Sequence, residues 1–196
     1  MHPNLAALVG SRICHDLISP IGAIGNGVEL LGLTHGADTP EMALIADSVQ
    51  NANARIRLFR IAFGAAAPSQ SVSQSEIQSI LSDVARGGRN DYGWQIVGDQ
   101  PRDLVRAALL TLLCFETALP VGGTMNIAQT DSTWHFSATA SRINVSPALW
   151  GTLHGTDTDF THTAANVQFA LLPAALAEAG RQLVFSATDT TLTAQF

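Results

Sequence analysis

The chain contains no lysine; all ten of its basic residues are arginines. That excludes Schiff-base chemistry, the lysine of a phosphate-binding loop and other lysine-dependent nucleophiles. Cysteine is nearly as scarce. Cys14 and Cys114 stand far apart, without metal or redox spacing, and read as buried thiols rather than a disulfide. Positive charge is in deficit, with a formal net charge of −6, which excludes broad nucleic-acid binding. The histidines and acidic residues are scattered and offer no zinc-helix spacing. No apolar run reaches the roughly 20 residues that span a bilayer. The opening MHPNLAALVGSRICHD lacks the basic start and unbroken apolar run of an export signal. The expectation is a soluble, cytoplasmic protein that neither enters a membrane nor holds a metal.

What is present is apolar sequence: 46% of 196 residues, enough for a packed core and too much for a disordered chain. Residues 64–75, GAAAPSQSVSQS, are small and polar and include Pro68, as suits a flexible connection. They separate a helical part from a mixed one. Residues 1–66 read as a helical hairpin, 67–75 as a linker and 76–196 as an α/β domain. The first helix is expected from Asn4 to Leu33. In it Leu17, Ile21, Ile24, Val28 and Leu31 form a heptad-type apolar seam. Gly32, Gly36, Asp38 and Pro40 mark the turn. The second helix is expected over Pro40–Phe63, with Thr39 as N-cap and Pro40 in the first helical position. Its seam is Met42, Ile45, Val49, Ala52, Ile56, Phe59 and Phe63. Two helices with such narrow seams leave their flanks bare. A second copy of the hairpin would cover them in a dimeric four-helix bundle; the C-terminal part is the alternative cover.

In that C-terminal part, Ser73 and Glu76 have capping-box spacing ahead of a helix at EIQSILSDVARGG. YGWQIVG reads as a strand. DLVRAALLTLLCFETAL reads as an apolar helix stopped by Pro120 and the Gly122-Gly123 turn. TMNIAQ and TWHFSATA read as a hairpin. A helix is expected from Thr163 to Gly180, kinked at Pro173, followed by a hairpin of QLVFSAT and TLTAQF. Helices on one face of a mostly antiparallel sheet make a two-layer sandwich, so the fold class is α+β.

His15 is the residue with the most chemical promise. At 100° per residue it lies opposite the seam of the first helix. Ser11, Ser19, Gly22 and Asn26 share its outward stripe, Glu29 continues near it, and Arg12 sits one turn before it. A flat face of small side chains with one projecting imidazole suits docking of another protein. A neutral imidazole is a competent nucleophile near neutral pH. Phosphoryl transfer asks mainly for in-line positioning and charge neutralisation. Asp16 would orient the ring or manage its proton, and Arg12 would offset the charge of a phosphorylated ring. Periodicity alone leaves the ordinary reading open, a solvated histidine on a helix surface.

The local motif favours the reactive reading. His15-Asp16-Leu17-Ile18-Ser19-Pro20 is similar to the phosphoacceptor box of sensor histidine kinases: His, then Glu or Asp, Leu, two further residues and Pro. The stretch SRICHDLISPIGAIGNGVELL resembles more closely the ChpT-type histidine phosphotransferases of alphaproteobacterial phosphorelays. The C-terminal part looks like a worn-down kinase ATP-binding domain, so the resemblance covers nearly the whole chain. It implies a dimeric four-helix bundle with a Bergerat-like (histidine-kinase ATPase-like) sandwich on each hairpin. It implies His15 as phosphoacceptor, passing a phosphoryl group between receiver-domain aspartates. The implied partners are response-regulator receivers, including the receiver of an upstream hybrid histidine kinase. The receiver would bring Mg²⁺, and the chain would bind no cofactor of its own.

Departures from the kinase pattern bear on ATP. Aligned on Leu119-Pro120, Leu110 and Cys114 stand where a kinase has its two asparagines, and neither ligates Mg²⁺. The region WGTLHGTDTDFTHTAAN has no Asp-x-Gly-x-Gly motif, and the glycine motif before the Val167–Gly180 helix is missing. The expectation is a phosphotransferase that does not use ATP. Two alternatives stand beside it: a divergent ATP-dependent histidine kinase, and a non-catalytic dimeric docking module for receivers. The remaining features read plainly. Cys14 points about 100° away from His15 on a helix and forms no couple with it. His135, His154 and His162 have no evident partners. Arg55, Arg57 and Arg60 read as solvating the end of the second helix, and Trp94, Trp134 and Trp150 as core or rim aromatics.

Overall fold

The computed structural model describes residues 5–31, 39–66, 69–86, 88–155 and 159–196. Helices α1 (Leu5–Leu31) and α2 (Pro40–Ala62) form the hairpin. Thr39 caps α2 through Oγ1, which accepts from the Met42 amide at 3.4 Å, and Pro40 opens the first turn. The two helices pack closely at Gly27, which is buried; a Cβ there would run into Ile45. Helix α1 continues through Pro20, whose ring is buried. The expected helix ends at Asn4 and Leu33, the turn residues Gly32, Gly36 and Asp38, and Pro68 lie outside the described residues.

The stretch expected as a linker is partly folded. Within it β1 (Ser71–Val72) pairs antiparallel with β3 (Gln100–Pro101). Helix α3 (Gln74–Arg86) also begins there, with Ser73 Oγ accepting from the Glu76 amide at 3.2 Å. The Glu76 carboxylate pairs with Arg60 of α2 at 3.0 Å. The composition was that of a flexible segment, but strand pairing and a helix cap hold it.

The main sheet has five strands in the order β2 (Asn90–Trp94), β4 (Gly123–Thr130), β5 (Thr133–Thr139), β7 (Thr191–Gln195) and β6 (Val184–Ala187). The β2–β4 pair is parallel and the others antiparallel. Met125, Ile127, Trp134, Phe136, Ala138 and Leu192 alternate inward and are buried, as period-two sheet geometry requires. Helix α4 (Arg102–Ala118) lies on that face, apolar and buried around most of its circumference from Val105 to Ala118. Helix α6 (Val167–Glu178) packs on α4 and runs through Pro173. The expected helix from Thr163 is thus divided: a 3₁₀ turn at Ala164–Asn166 precedes α6. A short helix, α5 (Pro147–Gly151), was not anticipated. The architecture is an α+β sandwich beside a helical hairpin.

The core is continuous from the sandwich into the base of the hairpin, through Ala54, Leu58, Phe59, Ile61 and Ala62 of α2. The expected α2 seam is therefore split. Phe59 turns into this core, while Met42, Val49 and Ile56 remain exposed, as do Ile21 and Val28 of α1. The C-terminal part packs through α3 and α4 and covers the seam only at its base, leaving these five residues bare. All three tryptophans are buried. Cys114 is buried and free, but Cys14, expected as a buried thiol, is exposed.

Candidate functional site

Helix α1 carries His15 outward, with 83% of its side chain exposed. Its Nδ1 lies 3.0 Å from Oδ1 of Asp16. A carboxylate accepts only, so in the neutral ring this bond places the proton on Nδ1 and leaves the Nε2 lone pair free. Adjacent helical residues usually diverge, yet the short Asp16 side chain reaches back to its neighbour's ring. Asp16 itself is only 12% exposed.

Two arginines hold Asp16. Arg12, one turn earlier on α1, donates from Nε to Oδ2 at 2.9 Å. Arg55, from α2, brings Nη1 to 4.0 Å from the same oxygen. Arg12 also donates from Nη1 to the Ala165 carbonyl at 2.7 Å, which ties the helical turn that carries His15 to the 3₁₀ turn before α6. Ala165 O accepts Gln168 Nε2 as well, at 3.3 Å, and the same amide donates to Thr117 Oγ1 of α4 at 2.9 Å. Gln168 is fully buried, so these bonds form a path from the centre of the sandwich to the imidazole.

His15 stands on a cleft of about 590 Å³ between the hairpin and the sandwich. Arg12, Asp16, Ser19 and Arg55 line its hairpin side; Arg89, Asn90, Tyr92, Glu116 and Thr117 line the other. Arg89 donates to the Pro120 carbonyl at 2.9 Å. Tyr92 donates its hydroxyl to Glu116 in a short hydrogen bond. Burial pushes the Tyr92 phenol far above its ordinary range, and Glu116 pushes the same way, against the nearby Arg55. Asn90 Oδ1 is buried without a partner among the described residues.

The structure thus gathers His15, Asp16, Arg12 and Ser19 of the expected site. Ser11, Gly22, Asn26 and Glu29 are exposed on α1 and do not line the cleft. Arg12, expected to be available for docking or for charge on the ring, is engaged by Asp16 and Ala165 and is 15% exposed. The three α2 arginines were read as solvating a helix end, and that is corrected. Arg55 reaches Asp16, Arg57 pairs with Asp83 at 3.3 Å, and Arg60 pairs with Glu76. Two histidines expected to lack partners have aromatic ones: His154 stacks on Phe185 with ring centroids 5.1 Å apart, and His162 lies 5.2 Å from Phe160.

Arg55 and the far wall of the cleft escaped sequence reading. For Arg55 the placement comes from helix packing: the antiparallel register that sets Gly27 against Ile45 also brings Arg55 to Asp16. The positions compared with kinase asparagines, Leu110 and Cys114, are sealed in the core. Trp150, in the segment compared with the kinase adenine reader, is buried against Phe115, Phe169 and Phe185. Among the described residues no His, Cys, Asp and Glu cluster has an arrangement that holds a metal, and no helix is long and apolar enough to cross a membrane.

Residues 74–191 match the family described as "Histidine phosphotransferase C-terminal domain". The chain is 41% identical over 128 residues to "Protein phosphotransferase ChpT" of Brucella abortus (strain 2308), a match covering 63% of this chain and 60% of that protein. A solved structure described as "1.7 Angstrom Structure of a Bacterial Phosphotransferase" superposes with a TM-score of 0.81 and 32% identity, over 100% of this chain and 96% of that one. The family match starts at α3 and ends inside β7, and the superposition extends the likeness through the hairpin that presents His15. The chain belongs to the histidine phosphotransferase family, of the ChpT type.

Proposed function

We propose that the chain works as a homodimeric phosphorelay shuttle in the cytoplasm, carrying a phosphoryl group on His15 between the aspartates of receiver domains without using ATP. The observation that carries this reading is the solvent-facing imidazole whose Nδ1 is engaged by a held carboxylate. In the forward step Nε2 attacks the phosphorus of a receiver's aspartyl phosphate. The N–P bond forms as the bond from phosphorus to the aspartyl oxygen breaks, and the receiver's carboxylate leaves with the electron pair. The ring gains positive character, which the Asp16 carboxylate offsets across the Nδ1 hydrogen bond. A second receiver's carboxylate reverses these bonds and restores the free imidazole. The visiting receiver supplies Mg²⁺ to neutralise charge on the transferring group.

Docking falls to the α1 stripe of Ser11, Ser19, Gly22, Asn26 and Glu29 and to the mouth of the cleft. Small exposed side chains there let a partner's backbone come close to the ring. The bare apolar seam of the hairpin supports dimerisation, since it would otherwise leave Ile21, Val28, Met42, Val49 and Ile56 in water. The burial of Leu110, Cys114 and Trp150 supports independence from ATP: no ligand for a nucleotide's metal stands at those positions.

The test supplies each phosphoryl donor separately. A receiver carrying labelled aspartyl phosphate is expected to label the chain within minutes, and labelled Mg·ATP alone is expected to leave it unlabelled. Labelling by ATP without a receiver would replace this reading with that of a divergent kinase.

A further inference from the structure

We propose that Arg55 is a positioning residue for phosphotransfer, fixing the tautomer and orientation of His15 by clamping Asp16 from the second helix. The proposal rests on the reading of His15 as phosphoacceptor. Among the described residues His15 has a single hydrogen-bond partner, Asp16. An 83% exposed ring is otherwise free to turn about its side-chain bonds. The orientation of the ring is therefore no better defined than that of the Asp16 carboxylate.

The carboxylate is held asymmetrically. Oδ2 faces both arginines, Arg12 at 2.9 Å and Arg55 at 4.0 Å, while Oδ1 is left for His15 at 3.0 Å. Arg12 belongs to the same helix and constrains Asp16 from one side. Arg55 comes from the opposite helix and supplies the second point that stops the carboxylate rotating. Arg12 and Arg55 are 15% and 20% exposed and Asp16 12%, so water screens these attractions less than on an open surface. Arg55 lines the same cleft as Tyr92 and Glu116, so its guanidinium sits between the hairpin and the sandwich rather than in open solvent. The result is a fixed order of contacts: Arg55 to Asp16 Oδ2, Asp16 Oδ1 to Nδ1–H, and a free Nε2. Arg55 need not touch the phosphoryl group.

A double-mutant cycle on the 196-residue chain separates action through Asp16 from direct action on phosphate or receiver. Transfer from a phosphorylated receiver is measured for wild type, Arg55→Ala, Asp16→Asn and the double variant. Arg55→Ala should lower the maximal rate about tenfold, as small misplacements of reacting groups do. The receiver concentration for half-maximal rate should stay nearly constant. In the Asp16→Asn background, Arg55→Ala should add less than about twofold, because coupled residues are not additive. Arg55→Lys, which keeps the charge, should recover most of the rate, and thermal melts report whether each variant is folded. Long-range ¹H–¹⁵N spectra read the tautomer directly: His15 should be chiefly Nδ1–H in wild type and a mixture in Arg55→Ala.

Equal losses in both backgrounds, or an unchanged tautomer in Arg55→Ala, would overturn the proposal while leaving phosphotransfer through His15 intact. A wild-type chain that never accepts phosphate would instead sink the functional reading, and the spectra would still decide whether Arg55 sets the tautomer.

Discussion

The imidazole at position 15 is oriented by a chain of contacts that runs from its own helix to α2 and to the turn before α6. Asp16 orients it, Arg12 and Arg55 hold Asp16, and Ala165 O holds Arg12. Part of this was legible in sequence. A histidine opposite a heptad seam must face outward, and an acid beside it is a natural partner. The rest was not, because Arg55 and Ala165 lie 39 and 149 positions beyond Asp16. Charge run and helix-end position made Arg55 look like a solvated residue, and only the packing of two helices distinguishes it from Arg60, whose partner is Glu76. The chain's single tyrosine gives a clean check on the far wall of the cleft. Tyr92 is kept protonated in the folded state by burial and by Glu116. The unfolded phenol ionises near its ordinary value of 10.0, so the contribution of Tyr92 to folding stability is complete below that pH and declines as pH rises above it. Absorbance at 295 nm should accordingly rise only together with loss of the far-UV circular dichroism of the fold. A phenolate signal from a chain still folded at pH 11 would contradict the Tyr92–Glu116 contact.

Helices and hairpins were the most legible features, since each carries its own local signal. The Thr39-Pro40 start of α2, the period-two strands and the turn around Thr130–Ser132 follow from capping, alternation and turn chemistry. The order β2-β4-β5-β7-β6, the burial of α4 on nearly every side and the folding of β1 into the expected linker depend on long-range pairing, which no window of sequence contains. Gly122 illustrates the local kind. It sits at φ +85° between α4 and β4, and a Cβ there would strike the Arg89 carbonyl at the start of β2. Gly122→Ala should destabilise the sandwich by about 1–3 kcal/mol through this strain, measured by urea unfolding. An unchanged midpoint would mean that the turn has another conformation. Because Arg89 lies on the cleft, the same substitution should also slow receiver-dependent transfer.

Considered as a whole, the molecule is a sandwich joined to the base of a hairpin whose opposite flank is bare. The heptads anticipated that flank, and the structure removes the C-terminal part as its cover. On the proposed reading, a second copy of the chain would cover Ile21, Val28, Met42, Val49 and Ile56 together. Light scattering should give a mass twice the 20.6 kDa of one chain. The pair Ile21→Glu and Val49→Glu should give the single-chain mass with unchanged helicity, because both positions are already exposed within one chain. A wild-type monomer at micromolar concentration would remove the dimer. The split between anticipated and unanticipated features has one physical origin: surfaces are set by periodicity, whereas interfaces between distant segments are set by the packing of the entire chain.

The central claim is that phosphate rests on the His15 ring, and the direct measurement is receiver-dependent labelling of wild type beside His15→Ala. The account predicts an acid-labile, base-stable label on the wild-type chain that passes to a second, unphosphorylated receiver. It predicts no label on a His15→Ala variant that remains folded and still binds the receiver. A His15→Ala chain that labels at the wild-type rate would contradict the account.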